Sequence, residues 1–307
     1  MEINWTLARK RRALEARAAI IQEIRRFFIL GGYLEVDTPL RIPAPAPEAH
    51  IDGIPSPPWY LQTSPELCMK RLLAAGYERL FQVCHCWRAG ERGSRHHPEF
   101  TLLEWYRAGA DYRDLMTECE ELIRGIASLL GRGCRITYRG REINLAGEWE
   151  RLSVRDAFSR YGGISMEGAC TAGRFDEVMA EAIEPHLGTA TPTFLCDYPV
   201  ERGALARVSP IDPRVVERFE LYVGGLELAN AFSELTDPAE QRHRFLEENE
   251  RRRSNGLAPY PLPEKFLQEL SQLPPAAGIA LGVDRLAMLF LDETSIDGVV
   301  AFAPEEL

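Results

Sequence analysis

Strand-like segments in this chain fall in close sequence pairs, and that spacing limits the fold more than any other feature. Residues 79–88 and 98–107 read as two strands joined by the polar, glycine-containing loop AGERGSRHH. Phe219, Leu221 and Val223 alternate up to Gly224-Gly225 and a second strand follows, the pattern of a hairpin. Arg135 to Asn144 makes a smaller one around Arg139-Gly140. Strands arranged in hairpins, without the strand–helix–strand alternation of a parallel sheet, predict an α+β fold with an antiparallel sheet flanked by helices.

Helices fill the intervals. Residues 7–30 carry Leu14, Ala18, Ile21, Ile24 and Phe28 on one stripe, with Gly31-Gly32 as the stop. A short strand, Tyr33 to Val36, ends at Asp37-Thr38-Pro39, and the six prolines of 41–58 predict a loop. Ser64-Pro65 opens a helix over Glu66 to Ala75, with proline in the first turn, where its missing N–H costs nothing. Further helices are expected at 112–131 and 153–160. The stretch 165–210 reads as a helical insertion, about 165–200, followed by a strand. Asp237-Pro238 with Glu240 caps a long polar helix that ends near Ser254-Asn255-Gly256. A last strand, Gly278 to Leu281, runs into a helix at 283–291. Neither a repeat nor a separating linker is visible, so residues 1–307 read as one domain.

Composition removes several functions. No apolar run approaches the ~18 residues of a membrane span, and the start MEINWTLARKRR lacks the apolar core of a signal peptide. The expectation is a cytoplasmic protein without a membrane partner. A net charge of −10 weighs against broad nucleic-acid binding. The first helix nevertheless gathers Arg9, Lys10, Arg11, Arg12, Arg17, Arg25 and Arg26, either a solvated face or a docking surface for an acidic partner. Lysine occurs only at 10, 70 and 265, never after glycine, which excludes a Walker A phosphate loop. Cys84-His85-Cys86 lies inside an apolar strand, so these cysteines read as buried thiols and not as metal ligands.

Strand 98–107 carries the most chemistry. At period two, Phe100, Leu102, Glu104 and Tyr106 share a face, with Phe100 and Glu104 roughly 13 Å apart. That suits a flat ring held at one end and an ammonium group at the other, although a half-exposed sheet would show the same alternation. Glu227 and Glu234, with Asn230 between them, are either an acidic pair on a surface hairpin or ligands for Mg²⁺, which takes a few carboxylates plus phosphate oxygens. Arg285 begins a helix and is either an ordinary surface arginine or a group that reaches a phosphate or stacks on a base.

Taken together, these segments resemble the catalytic core of class II lysyl-tRNA synthetases. YLEVDTP (33–39) is similar to motif 1, whose helix and strand here span about 14–39. FQVCHCWRAGERGSRHHPEFTLLEWY (81–106) is similar to motif 2, about 79–107, and GIALGVDRL (278–286) to motif 3, about 278–291. TSPELCMKRLL (63–73) and GGLELANAFSELTD (224–237) are similar to the lysine-specific versions. Only about a dozen residues precede the motif 1 segment, so no anticodon-binding domain is expected. The segments come nearest to the truncated paralogues that attach (R)-β-lysine to a lysine of translation elongation factor P.

The resemblance implies roles residue by residue. Arg88 and Arg285 would be catalytic, Arg88 on the α-phosphate and Arg285 sandwiching the adenine against Phe100. Ala89, Gly90, Glu91, His97, Leu228 and Gly282 would complete the ATP site, and Glu227 and Glu234 would hold Mg²⁺. Glu66, flanked by Ser64 and Pro65, would take the substrate's main amino group. Glu104 and Tyr106 would take its side-chain ammonium, and Asn230, Glu234 and Ala280 would shape the same pocket. Lysyl-tRNA synthetases carry glycine where this chain has Ala280, which implies a preference for (R)-β-lysine over lysine.

Two departures stand by the adenine. The family's arginine-x-glutamate is here Arg88-Ala89-Gly90-Glu91, and His97 replaces an asparagine; Glu91 is expected to substitute. The implied protein is a homodimeric ATP-dependent ligase acting on elongation factor P, with no tRNA partner. The alternatives are a truncated synthetase that charges a tRNA acceptor stem, or a non-catalytic lysine- or nucleotide-sensing module.

Overall fold

The computed structural model describes residues 5–203 and 205–307. After a short helix, Trp5–Arg9, helix α1 (Arg11–Leu30) leads into the edge strand β1 (Leu34–Glu35). Helix α2 (Glu66–Ala74) then precedes the long antiparallel pair β2 (Arg79–Trp87) and β3 (Glu99–Ala108). Helix α3 (Tyr112–Leu129) follows, and then the hairpin of Arg135–Tyr138 with Arg141–Asn144 and the strand β4 (Glu150–Ser153). A run of short helical turns leads to β5 (Thr193–Pro199), β6 (Val215–Val223), β7 (Leu226–Ser233) and helix α4 (Pro238–Ser254). Strand β8 (Ala276–Gly282) passes directly into helix α5 (Val283–Leu291).

Eight strands form one sheet in the order β1-β2-β3-β8-β7-β6-β5-β4. The six inner strands are antiparallel, as expected from the hairpins, but the sheet is mixed because both edges pair parallel: β1 with β2, and β4 with β5. Parallel neighbours need a connection of a dozen or more residues. The proline-rich segment with α2 supplies one, and the helical insertion supplies the other.

One sheet face is packed dry. Ile20, Ile24 and Phe28 of α1 and Leu115, Leu122 and Ile126 of α3 lie against Phe81, Leu103, Trp105 and Ile279, all fully or nearly fully buried. Each such side chain contributes about 1.5–3 kcal/mol on burial. Asp111 holds the start of α3, accepting from the N–H groups of Arg113 and Asp114. The opposite face is left to polar side chains and a cavity, rimmed by α2, α4 and the segment 43–53.

Several sequence expectations need correction. The first helix is broken by a turn at Lys10, and its buried stripe is Ala13, Ile20, Ile24 and Phe28; Leu14 and Ile21 are half-buried and Ala18 is exposed. The segment 41–58 is not all loop, because Arg41–Ile42 and Pro55–Ser56 both pair with Trp59–Leu61. The basic helix face is largely neutralised. Lys10 pairs with Glu306, Arg25 with Glu35 and Arg26 with Glu23, and Arg17 is drawn inward onto Asp284. Cys84 and Cys86 are buried with their sulfurs 3.9 Å apart, while His85 points to solvent. Among the described residues no helix is long and apolar enough to cross a membrane.

Candidate active site

Register places the chemistry. Across β3, β8, β7 and β6, Glu104 pairs with Ala280, Ala280 with Asn230, and Asn230 with Glu220. Side chains opposite each other in a ladder share a face, so these four form one row. Phe100 and Tyr106 share the Glu104 face of β3 by period two. A cavity of about 210 Å³ opens over this row and runs from Ser64, Glu66, Glu104 and Tyr106 at one end to Arg88, Phe100 and Arg285 at the other.

At the closed end, Glu104 is 1 % exposed and accepts from Ser64 Oγ at 2.5 Å and from the Tyr106 hydroxyl at 2.7 Å. Ser64 is held in turn by the backbone N–H of Glu66. Lys70, one helical turn after Glu66, donates to Glu66 Oε1 at 2.5 Å and lies 2.5 Å from Glu234 Oε2. Its ammonium also sits 4.9 Å from the Phe232 ring centroid. Gly278 makes this cluster possible. A Cβ there would meet the Tyr106 ring at 2.2 Å and Glu234 Oε1 at 2.4 Å, so any side chain would drive the two apart.

The charges do not balance. Glu66, Glu104 and Glu234 face a single ammonium. Burial, and then the charge of Glu66, pushes Glu104 up to about 7. Burial pushes Glu234 up to about 8, against the pull of Lys70. Burial alone would depress Lys70, but Glu234 and Glu66 more than offset it and raise its pKa. Glu234 Oε1 is buried and accepts no hydrogen bond among the described residues. The cluster is short of cationic partners, a chemistry suited to a ligand that carries ammonium groups.

The other end is basic and aromatic. The Arg88 guanidinium lies 5.0 Å from the Phe100 ring centroid, and its Nε is buried without a partner among the described residues. Glu91 stands 4.0 Å from Arg88 and lines the cavity, although it comes one residue late in sequence. Arg285 donates to the Glu227 carbonyl at 2.8 Å, to Glu227 Oε2 at 3.0 Å and to the Arg95 carbonyl at 3.3 Å. It also meets His96 Nε2 at 2.5 Å. Burial and the Arg285 charge lower the His96 pKa, which keeps that imidazole neutral and able to accept. In this state Arg88, not Arg285, covers the ring of Phe100. His97 is tied away from the cavity centre, its Nε2 2.6 Å from Asp297. Leu228 and Gly282 line the cavity, whereas Ala89, Gly90 and Pro65, expected in the same site, are not among its lining residues.

Asp284 locks this end together. It is 2 % exposed, accepts from the Thr101 N–H at 2.7 Å and receives Arg17 at 2.8 Å. One carboxylate thus fastens β3, the start of α5 and helix α1, and so positions Phe100 and Arg285. Sequence reasoning placed Arg17 on a solvated face or a docking surface, because helical position alone does not show what packs above it.

The acidic pair needs correction. Glu234 lies beyond the far end of β7 from Glu227, roughly 20 Å away at strand rise, and is committed to Lys70. The two cannot share a cation. A bulge at Leu228 explains the change of face: Tyr222 pairs with Glu227 and Leu221 with Ala229, so Leu228 is the extra residue. That irregularity turns Glu227 onto the face of Asn230, beside Glu220 of β6. Glu220 is held by Arg218 at 2.6 Å and by the Tyr222 hydroxyl at 2.8 Å, and burial and then the Glu227 charge raise its pKa, against the pull of Arg218. Glu220 went unnoticed because one alternating carboxylate in a strand carries no signal until its neighbour is known. Glu48 and Lys70 were missed too, one in a proline-rich loop and the other reading as an ordinary helix lysine.

A family model described as tRNA synthetases class II (D, K and N) matches residues 3–306. A protein of Vibrio atlanticus named elongation factor P–(R)-β-lysine ligase is 37% identical, the match covering 98% of each chain. Proteins of the same name from Vibrio vulnificus and Salmonella typhimurium are each 38% identical. The first match covers 98% of each chain and the second 93%. The chain therefore belongs to the class II tRNA synthetases of the D, K and N type and, within them, to the family of the elongation factor P–(R)-β-lysine ligases.

Proposed function

We propose that this enzyme activates a diamino acid, (R)-β-lysine or lysine, with ATP and transfers the acyl group to a lysine side chain of translation elongation factor P. The observation that carries the reading is the charge imbalance at the closed end of the cavity. Three carboxylates face one internal ammonium, and the two remaining charges match a substrate with two amino groups. A neutral or acidic side chain would leave a carboxylate buried and unpaired, which is the strongest form of rejection a site can build. The names of the relatives, which specify (R)-β-lysine and elongation factor P, agree with this geometry.

The remaining residues fit activation. The substrate carboxylate would attack the α-phosphate of ATP, and Arg88, whose Nε has no partner among the described residues, would stabilise the charge that develops there. Phe100 offers a ring for the adenine, with Arg88 or Arg285 as its cationic cover. Glu220 and Glu227 replace the earlier pair as the carboxylates for Mg²⁺, since they share a face on adjacent strands. The ion would neutralise the phosphates and the departing pyrophosphate. The exposed apolar residues Ile29, Leu30, Leu34 and Leu40, gathered around β1, support a homodimer built on this edge.

Acceptor choice is the direct test. Enzyme, ATP and either isomer are incubated with elongation factor P and with tRNA in parallel, and products are read by mass spectrometry. The factor should gain one lysyl-type mass while tRNA stays uncharged. Charged tRNA with unmodified factor would replace this reading with a tRNA ligase.

A further inference from the structure

A second cavity of about 660 Å³ lies beside the first, and Glu48, Ile51, Leu205 and Asn230 line both. Glu48 belongs to the proline-rich segment, and its backbone is pinned on both sides. Its carbonyl accepts from Arg252 at 3.0 Å, and the next N–H donates to Glu248 at 2.8 Å. Its carboxylate, by contrast, is half-buried in the shared wall and makes no hydrogen bond or ion pair among the described residues. The charges that face it are Glu66 from α2, Arg88 from the end of β2, Glu248 from α4 and Arg218 from β6.

Two of those neighbours bracket the reaction. Glu66 marks the amino end of the donor and Arg88 marks its phosphate end. The acyl carbon of an aminoacyl-adenylate is joined to both ends, so it lies between them, where Glu48 looks in from the side. Carboxylates outnumber guanidiniums along the second cavity, which suits a cationic side chain approaching from solvent.

We propose that the second cavity admits the acceptor's lysine side chain and that Glu48 takes the proton from its ammonium as the amine attacks the acyl carbon. This rests on the reading of the chain as a protein-acylating ligase. One Nζ proton passes to Glu48, and the nitrogen lone pair forms the C–N bond. The bond from carbon to the phosphate oxygen breaks, AMP leaves with that electron pair, and the second Nζ proton goes to the departing phosphate. An amide, AMP and a protonated Glu48 result. Burial and the Glu66 charge, offset in part by Arg88, push the Glu48 carboxyl up to about 7, well suited to exchanging protons near neutrality.

The test uses wild type, Glu48→Gln and Glu48→Asp, each loaded with adenylate and mixed with elongation factor P in a single turnover. Pyrophosphate exchange is measured alongside, and circular dichroism checks the fold. Glu48→Gln should lose at least about 10²-fold more in transfer than in exchange, with partial recovery in Glu48→Asp. Wild-type transfer should rise with pH and level off above about 7. In Glu48→Gln it should climb about tenfold per pH unit toward the lysine pKa, because only neutral amine then reacts. Undiminished transfer by Glu48→Gln would overturn the proposal. Equal losses in both steps, with a raised donor KM, would overturn it in favour of donor binding. Absence of transfer by wild type would overturn the functional reading itself, and this proposal with it.

Discussion

Ala280 sits in the row of facing residues under the cavity, between Glu104 on one strand and Asn230 on the other, and lines that cavity. That placement supports its use as a selectivity element. A methyl crowds an amine on the α-carbon and leaves room for one moved to the β-carbon. One methyl-sized misfit is worth about 1–3 kcal/mol, or roughly 10- to 200-fold. Ala280→Gly should therefore shift the preference in pyrophosphate exchange from (R)-β-lysine toward lysine by that order, and an unchanged ratio would remove Ala280 from the choice. Residues such as Phe100, Glu104 and Tyr106 were legible in sequence because a regular strand repeats every two positions. Glu227 was legible only in part, since the bulge at Leu228 changes the face on which it appears, and no local pattern announces a bulge. Glu48 left no trace at all, because a proline-rich segment has no period from which a face can be read.

At the scale of elements, the carboxylates at the closed end come from three places, half-buried Glu66 on α2 and buried Glu104 on β3 and Glu234 just after β7, and their coupling gives a pH dependence. Glu104 and Glu234 titrate at about 7 and about 8 when folded, against roughly 4.3 for a free glutamate. The unfolded chain thus ionises first as pH rises. The contribution of these groups to stability is full below about 4.5 and is lost progressively up to about 8. A donor bearing two ammonium groups selects the ionised carboxylates, so its binding must release protons. Titration calorimetry in buffers of different ionisation enthalpy should show that release between about pH 6 and 8, with affinity rising over the same interval. Heats independent of the buffer would contradict the assigned protonation. Hairpins, capped helices and the β8–α5 junction were readable because each has a local cause, a turn or a cap. The strand β1 was read, at Tyr33 to Val36, but neither its parallel pairing nor β4 was, since a short edge strand owes its place to a distant partner.

For the whole molecule, the apolar stripe on α1 leaves little for a subunit interface, because Ile20, Ile24 and Phe28 are fully buried in the chain's own core. What remains exposed is Ile29, Leu30, Leu34 and Leu40 around the sheet edge, where an unpaired strand flank is itself a liability. Sedimentation at micromolar concentration should give about twice the 34.7 kDa chain mass. Replacing Leu30 and Leu34 together by glutamate should return a monomer, and a monomeric wild type would sink the dimer.

The same surface carries a further consequence. Of thirty-six lysines and arginines, only residues 10, 70 and 265 are lysines. Lys70 is enclosed by Glu66 and Glu234, Lys10 is tied to Glu306, and Lys265 alone is exposed. An aminoacyl-adenylate that escapes the cavity acylates any neutral amine it meets, whereas guanidinium stays protonated and inert. By holding its positive charge as arginine, the protein offers its own reactive product almost nothing to label, and among its side chains exposed Lys265 is the amine left open to self-acylation.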